Sequence, residues 1–371
     1  MFRSTGLKQR WWLHRDQKIK HIPQRDTMHI QKHPNAFAMS ICYQSSLYLT
    51  DCEKEEEDSF ICCPGSHLWE DGDGWENSSE RHHVSVPYTD TRVKESVSKL
   101  IVKTGEMIIW DSRIAHMGGY LDKISSRAKG ILVKMVRLDV KEPEDMDSIK
   151  ASLNKDGVCI VKIADVETVK HIKALLCEDI SNIYNLPMLD EWNKYPSTVY
   201  GRANKGGGSW GPIACGRAAW EARLLPQRIK VFQSLLGMTD IVVSIDSVHW
   251  NIENHTRLSF MASFCPRNIR SNEAYKRKCI SQAYGLTRTT HWANVGDISK
   301  FNYGSEHNRM PQERYEAISK NWKGHGSNVY APEELRNTYV KQIANIIAQK
   351  ANQMTIEEVS SLLDPSVSQW L

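Results

Sequence analysis

The chain has 371 residues, which is long enough to bury a substantial core without disulfide bonds. Its 48 basic and 44 acidic residues leave a formal net charge of +4, which does not favour a nucleic-acid-binding protein. The nine cysteines are irregularly spaced and form no CxxC pair, which predicts reduced thiols. The sequence has no signal-peptide pattern and no apolar run near the roughly 20 residues of a membrane span. We therefore predict an intracellular, cytoplasmic protein without a membrane span.

The first informative element is the segment WWLHRDQ at residues 11–17. His14 and Asp16 are two residues apart, so on a strand both side chains would project from the same face and could bind one metal ion. A histidine from a separate strand, for which His116 is the candidate, would complete the two-nitrogen, one-oxygen ligand set of non-haem Fe(II) oxygenases. Taken alone, a His-x-Asp pair is more often a chance or surface feature.

The next segment, residues 38–51, alternates well enough to predict a strand, on which Gln44 or Tyr48 could face a cavity. Residues 52–58 predict an acidic loop. Residues 65–67 predict a turn, and residues 70–83 a loop of the kind that covers active sites. Residues 84–99 predict an exposed stretch, and residues 100–110 a strand leading to His116.

Three further phrases accompany the His-x-Asp pair: LYLTD at 47–51, CPGSH at 63–67, and GEMIIWDSR at 105–113, which runs into His116. Together these phrases resemble the phytanoyl-CoA dioxygenase-like family of Fe(II)/2-oxoglutarate-dependent oxygenases, with Glu106 where the family usually has Asp. The resemblance implies a mainly β protein with surrounding α-helices, built on a double-stranded β-helix, a jelly-roll and cupin-like core. It also implies the iron ligands, which are His14, Asp16 and His116.

The resemblance further implies a dioxygenase that uses Fe(II), 2-oxoglutarate and O2, oxidises an unactivated C–H bond of a small molecule, and releases succinate and CO2. Hydroxylation, desaturation and oxidative cyclisation are the expected outcomes, because halogenating relatives lack the carboxylate that Asp16 provides. Gln17 and Trp110 are expected to lie beside the ligands and to tune their orientation. An anionic substrate would fit the basic and aromatic residues between positions 8 and 12, although basic residues that flank a motif are usually only solvated.

In this family an arginine after the distal histidine binds the far carboxylate of 2-oxoglutarate, since a planar guanidinium can donate two parallel hydrogen bonds to it. Two residues are candidates here. Arg127 has the expected spacing from His116, whereas Arg257 opens residues 257–267, which resemble the family's arginine-bearing final strand. We favour Arg257 and keep Arg127 as the alternative.

The chain order differs from that of the family. Residues 1–120 resemble its metal-binding core strands, 135–248 its N-terminal helices and strands, and 257–330 its C-terminal strand and tail. We therefore predict one rearranged, circularly permuted domain over residues 1–330, followed by C-terminal helices at 331–371, the last of which opens with a Thr-x-x-Glu capping box. Rearrangement is physically allowed, because contacts rather than chain order determine a core.

Three alternatives remain open at this point. The chain could consist of two incomplete relatives joined in tandem, of which only the first keeps a metal site. It could be a catalytically inactive jelly-roll binding protein. It could also be a cupin-like metal enzyme that does not use 2-oxoglutarate.

Overall fold

The computed structural model describes residues 13–16, 43–72, 75–77, 84–119, 131–195, 212–246, 248–251, 257–285, 322–333 and 340–371. Over these residues the chain is a mixed α and β protein with two large, mostly antiparallel sheets and nine helices, and neither sheet is closed. The expected combination of antiparallel strands and α-helices is therefore confirmed at this coarse level, and the jelly-roll core stays a prediction.

The chain divides into two compact units. The first comprises Met1–Lys162, Lys205–Gly207 and Trp250–Leu258, and the second comprises Ile163–Asn204, Gly208–His249 and Ser259–Leu371. A short segment from late in the chain thus belongs to the same unit as the His-x-Asp motif. The single rearranged domain stays a prediction.

The first sheet lies entirely in the first unit. Its strands are β1 (His14–Arg15), β3 (Ser59–Cys62), β4 (Glu76–Asn77), β5 (Val84–Ser85), β6 (Ser98–Leu100), β8 (His116–Gly119) and β9 (Lys134–Val136), and helix α1 (Thr91–Ser96) precedes β6. The strands lie in the order β4-β5-β1-β8-β3-β6-β9. All neighbouring strands are antiparallel except β6 and β9, which are parallel. One face of this sheet packs on a buried apolar cluster that includes Leu13, Ile61, Val84 and Met117.

Within the first unit the second sheet has the order β10-β11-β7-β2. These strands are β2 (Tyr43–Tyr48), β7 (Glu106–Asp111), β10 (Val140–Lys141) and β11 (Val158–Lys162). The long strand β14 (Arg257–Pro266) begins in this unit, where the backbone N–H of Leu49 donates to the carbonyl oxygen of Leu258 at 2.8 Å.

Helix α2 (Met146–Asp156) leads into β11. It begins at Asp145, whose carboxylate accepts from the N–H of Ser148, and ends at Gly157, whose φ of 71° is unfavourable for other residues. A Cβ atom at Gly157 would lie only 2.5 Å from Nδ1 of His67, so the glycine also makes room for that imidazole. His67 Nε2 lies 3.1 Å from the carbonyl oxygen of Asn154, which indicates a structural role.

The family departure at Glu106 has a local explanation. Its carboxylate accepts from the backbone N–H of Lys103 at 2.7 Å and from both terminal nitrogens of Arg137, one of them at 2.6 Å. The side chain therefore closes the turn before β7 and fixes it to Arg137.

The second unit is mostly helical in its described residues. Its elements are α3 (Val166–Tyr184), α4 (Arg217–Arg223), α5 (Pro226–Leu236), β12 (Ile241–Val243), α6 (Asn272–Ala283), α7 (Val340–Gln353), α8 (Ile356–Ser361) and α9 (Pro365–Ser368). Strand β12 pairs antiparallel with the later part of β14, while β13 (Val248–Asn251) has residues in both units. Helix α8 opens with the predicted capping box, in which the Thr355 hydroxyl accepts from the Glu358 N–H and the Glu358 carboxylate accepts from the Thr355 N–H.

The core of the second unit contains buried cations that donate to backbone carbonyls. Arg223 donates to the carbonyl oxygens of residues 214 and 246 at 2.7 and 2.8 Å, and Arg228 to those of residues 222 and 260 at 2.9 and 3.3 Å. The Lys278 Nζ lies 3.1 Å from the carbonyl oxygen of Val243. Burial lowers the pKa of Arg228 to about 9 and that of Lys278 to about 7.

One sequence prediction about the first unit is wrong. Residues 84–99 are not an exposed segment, because Val84, Val86, Val93 and Val97 are all buried. Lys99 is buried as well, and its ammonium group donates to three backbone carbonyls of the acidic loop, those of residues 54, 55 and 57. The charged residues between the valines concealed their spacing.

Two global predictions can be compared with the described residues. None of the eight described cysteines forms a disulfide bond. In the same part of the chain, every helix is too short or too polar to cross a membrane.

Candidate metal centre

His14, Asp16 and His116 lie together at the join of β1 and β8. His14 is directly opposite His116 in the antiparallel pair, so both imidazoles project from the same face of the sheet. The potential ligand atoms of all three side chains lie within 4.8 Å of one another. His14 Nε2 is 3.5 Å from Asp16 Oδ1, and His116 Nε2 is 3.4 Å from Asp16 Oδ2. The three residues that the family resemblance implies as iron ligands therefore lie close together in the structure.

Hydrogen bonds around these side chains orient their potential metal-binding atoms toward one another. His116 Nδ1 is 3.0 Å from the carbonyl oxygen of Ile114, so a proton on Nδ1 would be donated there and Nε2 would remain as the ligating nitrogen. The backbone N–H of Asp16 donates to the carbonyl oxygen of Ser112 at 2.9 Å. The Gln44 amide donates to Asp16 Oδ2 at 2.7 Å, which orients the carboxylate.

Aromatic side chains from both sheets cover the centre. The Phe60 ring of β3 stacks on the His116 ring with centroids 5.3 Å apart and an interplanar angle of 16°. The Trp110 ring of β7 lies 4.8 Å from Phe60 and 5.6 Å from His116. The side chains of His14, Asp16 and His116 are consequently only 9–11 % exposed. Trp110 thus lies beside the ligands, where the sequence placed it.

Arg257 lies in the same unit, at the start of β14. The Leu258 N–H donates to the Thr50 hydroxyl at 2.9 Å, which fixes this end of the strand. The Arg257 guanidinium is 3.2 Å from the buried carboxylate of Asp58 and 5.1 Å from the centre of the Tyr48 ring. Burial alone would lower the pKa of Arg257, but Tyr48 and Asp58 raise it above its ordinary value, so the side chain is charged.

Gly118 shows where the Arg257 guanidinium lies with respect to the three potential ligands. It is two residues beyond His116 on β8, so both positions face the same side, about 7 Å apart along the strand. A Cβ atom at Gly118 would be 3.3 Å from Nη1 of Arg257, a tight contact that glycine avoids. The guanidinium therefore lies over the same face of the sheet as His14 and His116.

A row of polar side chains on β2 connects the two ends of this face. Gln44, Ser46 and Tyr48 alternate along the strand, with Gln44 at Asp16 and Tyr48 at Arg257. Trp110 pairs directly with Gln44 across the β2–β7 ladder. Gln44 Oε1, Ser46 Oγ and Trp110 Nε1 are buried and have no hydrogen-bond partner in the part of the chain that the structure describes. Because buried polar atoms are rarely left unsatisfied, this row is suited to a polar ligand.

Sequence reasoning missed two residues of this site. Asp58 follows a run of acidic residues and was assigned to a solvated loop, although it is only 6 % exposed. Phe60 lies in the short segment SFIC, whose position just before the CPGSH phrase was the available signal. Of the predicted site residues, Gln17 and Arg127 lie outside the described residues, as do the basic and tryptophan residues between positions 8 and 12.

Comparison with known proteins gives no match to a protein-family model, to a curated protein or to a solved structure. The geometry of the site is therefore the basis of the functional argument.

Proposed function

We propose that the chain is an Fe(II)/2-oxoglutarate-dependent dioxygenase of the phytanoyl-CoA dioxygenase-like type, with a rearranged chain order and a double-stranded β-helix core. The observation that carries the proposal is the convergence of His14, Asp16 and His116, which come from distant parts of the sequence. Two imidazoles and one carboxylate on one side of an ion are the ligand set of non-haem Fe(II) oxygenases. Contacts of Trp110 on β7 with Phe60 and His116 on the other sheet agree with a two-layered core.

The surroundings of the three ligands fit 2-oxoglutarate as a co-substrate. Arg257 lies against Gly118, two residues along β8 from His116, so its guanidinium is on the same face as the three ligands and is displaced from them along the strand. A dicarboxylate could bind a metal at one end and this guanidinium at the other. Gln44, Ser46 and Trp110 lie on the paired strands β2 and β7 and have buried polar atoms with no hydrogen-bond partner among the described residues. This placement supports Arg257 as the residue that binds the far carboxylate.

Each residue then has a definite task. His14, Asp16 and His116 would hold the ion, Gln44 orients Asp16, and the rings of Phe60 and Trp110 exclude water. The bound iron with 2-oxoglutarate and O2 would supply the chemistry that oxidises a substrate C–H bond, with succinate and CO2 as co-products. The carboxylate of Asp16 favours hydroxylation, desaturation or cyclisation. The substrate would be a small molecule, and the basic residues before His14 favour an anionic one.

The test is turnover of 2-oxoglutarate by the purified full chain. Fe(II) and 2-oxoglutarate are added without oxygen, air is then admitted, and succinate is measured. We expect succinate from the wild type and none from His116→Ala. The matched control is His171→Ala, which removes an exposed histidine from α3 and should leave succinate formation unchanged.

Two results would contradict the proposal and point to different proteins. Failure of the wild type to bind Fe(II) would favour a catalytically inactive binding protein. Metal binding without succinate formation, and without any effect of replacing Arg257, would favour a cupin-like metal enzyme that does not use 2-oxoglutarate.

A further inference from the structure

Arg15 stands between two potential metal ligands in sequence but projects from the opposite face of the sheet. Strand alternation sends His14 and Asp16 to one side and Arg15 to the other, where its guanidinium lies 4.3 Å from the centre of the Trp75 ring. The Arg15 side chain is 0 % exposed. Burial lowers its pKa, to about 10, while Asp71 raises it, so the side chain stays charged at neutral pH.

The guanidinium of Arg15 is bound to the segment that follows the Pro-Gly-Ser-His turn. It donates to the carbonyl oxygen of Ser66, to that of Trp69 at 3.0 Å, and to the Asp71 carboxylate at 3.1 Å. The first potential metal-binding segment is thereby attached to this turn through the residue between its two ligands.

Ser66 also holds the second potential metal-binding segment. Its hydroxyl accepts a hydrogen bond of 2.8 Å from the backbone N–H of Ala115, the residue immediately before His116. The Cys63 N–H donates to the Ala115 carbonyl oxygen at 2.9 Å. The same fully buried serine therefore contacts Arg15 through its carbonyl and Ala115 through its hydroxyl.

This double contact matters because β1 is a weak support by itself. It has two residues, which pair with the two-residue strand β5. It is in register with β8 at a single pair, His14 with His116, whereas β3 and β8 are paired over four residues. A binding constellation has to be held within about 0.5 Å of its productive geometry, which one residue pair of a ladder does not ensure. Contacts from behind the sheet can supply the missing restraint.

We propose that Ser66 and Arg15 are positioning residues that lock the two metal-binding segments together from the face opposite the metal. The proposal rests on the proposed function, since it assumes that the three ligands hold an ion. It assigns a role in metal affinity to two residues that would not touch the metal. Removal of such outer contacts in metal proteins typically weakens metal binding by roughly 10- to 100-fold.

The experiment uses Co(II) as the probe, because its visible absorption reports coordination geometry, and the full-length metal-free chain. The Kd for Co(II), the visible spectrum of the complex and the thermal unfolding of the metal-free protein are measured for the wild type, Ser66→Ala and Arg15→Met. The matched control is Ser96→Ala, because the Ser96 hydroxyl is likewise hydrogen bonded to the backbone, donating to the carbonyl oxygen of Arg92, and Ser96 lies on α1, outside the two metal-binding segments.

We expect Ser66→Ala to weaken Co(II) binding by about 10-fold or more and to change the visible spectrum, while Ser96→Ala changes neither. A merely structural role would lower the unfolding temperature of both serine variants without affecting Co(II) binding. Ser66→Ala removes one oxygen atom, so it keeps the test decisive even if Arg15→Met does not fold.

Two negative results are distinguishable. A wild type that does not bind Co(II) would overturn the proposed function, and the positioning role with it. Wild-type binding together with an unchanged Kd and spectrum in Ser66→Ala would overturn the positioning role alone.

Discussion

The two units bury charged groups in different ways. In the first unit some buried charges face other side chains: Asp16 faces two histidines, and Arg257 pairs with Asp58. The buried Lys99 of the same unit donates to backbone carbonyls instead. In the second unit the buried cations Arg223 and Arg228 donate to backbone carbonyls as well. Side chains that converge on one another can form a site for a ligand, whereas side chains that saturate carbonyls hold a fold together. We therefore expect the converging side chains of the first unit to bind a ligand, and the carbonyl-bound cations of both units to be structural.

The largest expected effect is stabilisation of the first unit by a metal. At a Co(II) concentration about 1,000 times the Kd, binding to the folded state alone should raise the free energy of unfolding by about 4.1 kcal/mol. Calorimetry with and without Co(II) measures this shift. His116→Ala should lose it and His171→Ala should keep it. Equal stabilisation of His116→Ala would mean that the metal binds elsewhere and would remove the distinction between the units.

The second prediction concerns Arg257 and Asp58. Arg257→Gln alone should destabilise the protein by about 3 kcal/mol, because it leaves a buried carboxylate without its partner. The double variant Arg257→Gln with Asp58→Asn removes both charges and should recover most of that loss, as measured by chemical denaturation. Its affinity for 2-oxoglutarate, measured by titration of the Co(II)-loaded protein, should nevertheless stay weak.

That double variant separates two roles of the arginine. If it binds 2-oxoglutarate as tightly as the wild type does, Arg257 is only the partner of Asp58, and the first unit uses this buried pair structurally, much as the second unit uses its buried cations. Arg113→Gln is a suitable control, since Arg113 is another arginine of the first unit that pairs with an aspartate, in its case Asp111.

The third prediction tests the cost of a buried cation in the second unit. Burial lowers the pKa of Lys278 to about 7, below its ordinary value of 10.5, so between these values the unfolded chain binds more protons than the folded one. Stability contributed by this group therefore rises with pH, by about 2 kcal/mol from pH 7 to pH 9. The difference in unfolding free energy between the wild type and Lys278→Met should change by that amount over this range. A constant difference would mean that Lys278 is not desolvated in the folded state.

Local sequence patterns predicted much of both units. For example, residues 156–163 are typical of a strand that follows a turn, and the apolar spacing of residues 166–183 predicts a helix. The structure has the strand Val158–Lys162 and the helix Val166–Tyr184. The His-x-Asp spacing indicated that His14 and Asp16 share a face, because strand alternation is a local property. Both predictions needed only neighbours in sequence.

Features that depend on distant partners could not be predicted in this way. Asp58 ends an acidic run that reads as solvated, and it is buried because Arg257, far away in the chain, lies against it. The valines at 84, 86, 93 and 97 had a spacing that could have been recognised, but the charged residues among them indicated exposure; these are Asp90, Arg92, Lys94 and Glu95. The pairing of a residue with one nearly 200 positions away leaves no trace in the local pattern of either.

The smallest expected effect concerns an ion pair of the first unit that lies outside the site. Glu106→Gln weakens the bonds to Arg137 but keeps an acceptor for the Lys103 N–H, and the Arg137 side chain is 32 % exposed, so solvent screens the pair. We expect a loss of about 1 kcal/mol in the free energy of unfolding and no change in the Kd for Co(II). A marked change in Co(II) affinity would show that charge pairs throughout the first unit act on the metal ligands, not only those that converge on the site. An unchanged affinity would mean that the Glu106–Arg137 pair only supports the turn before β7, the strand that bears Trp110. The charges that act on the metal would then lie on the face that carries His14, His116 and Arg257.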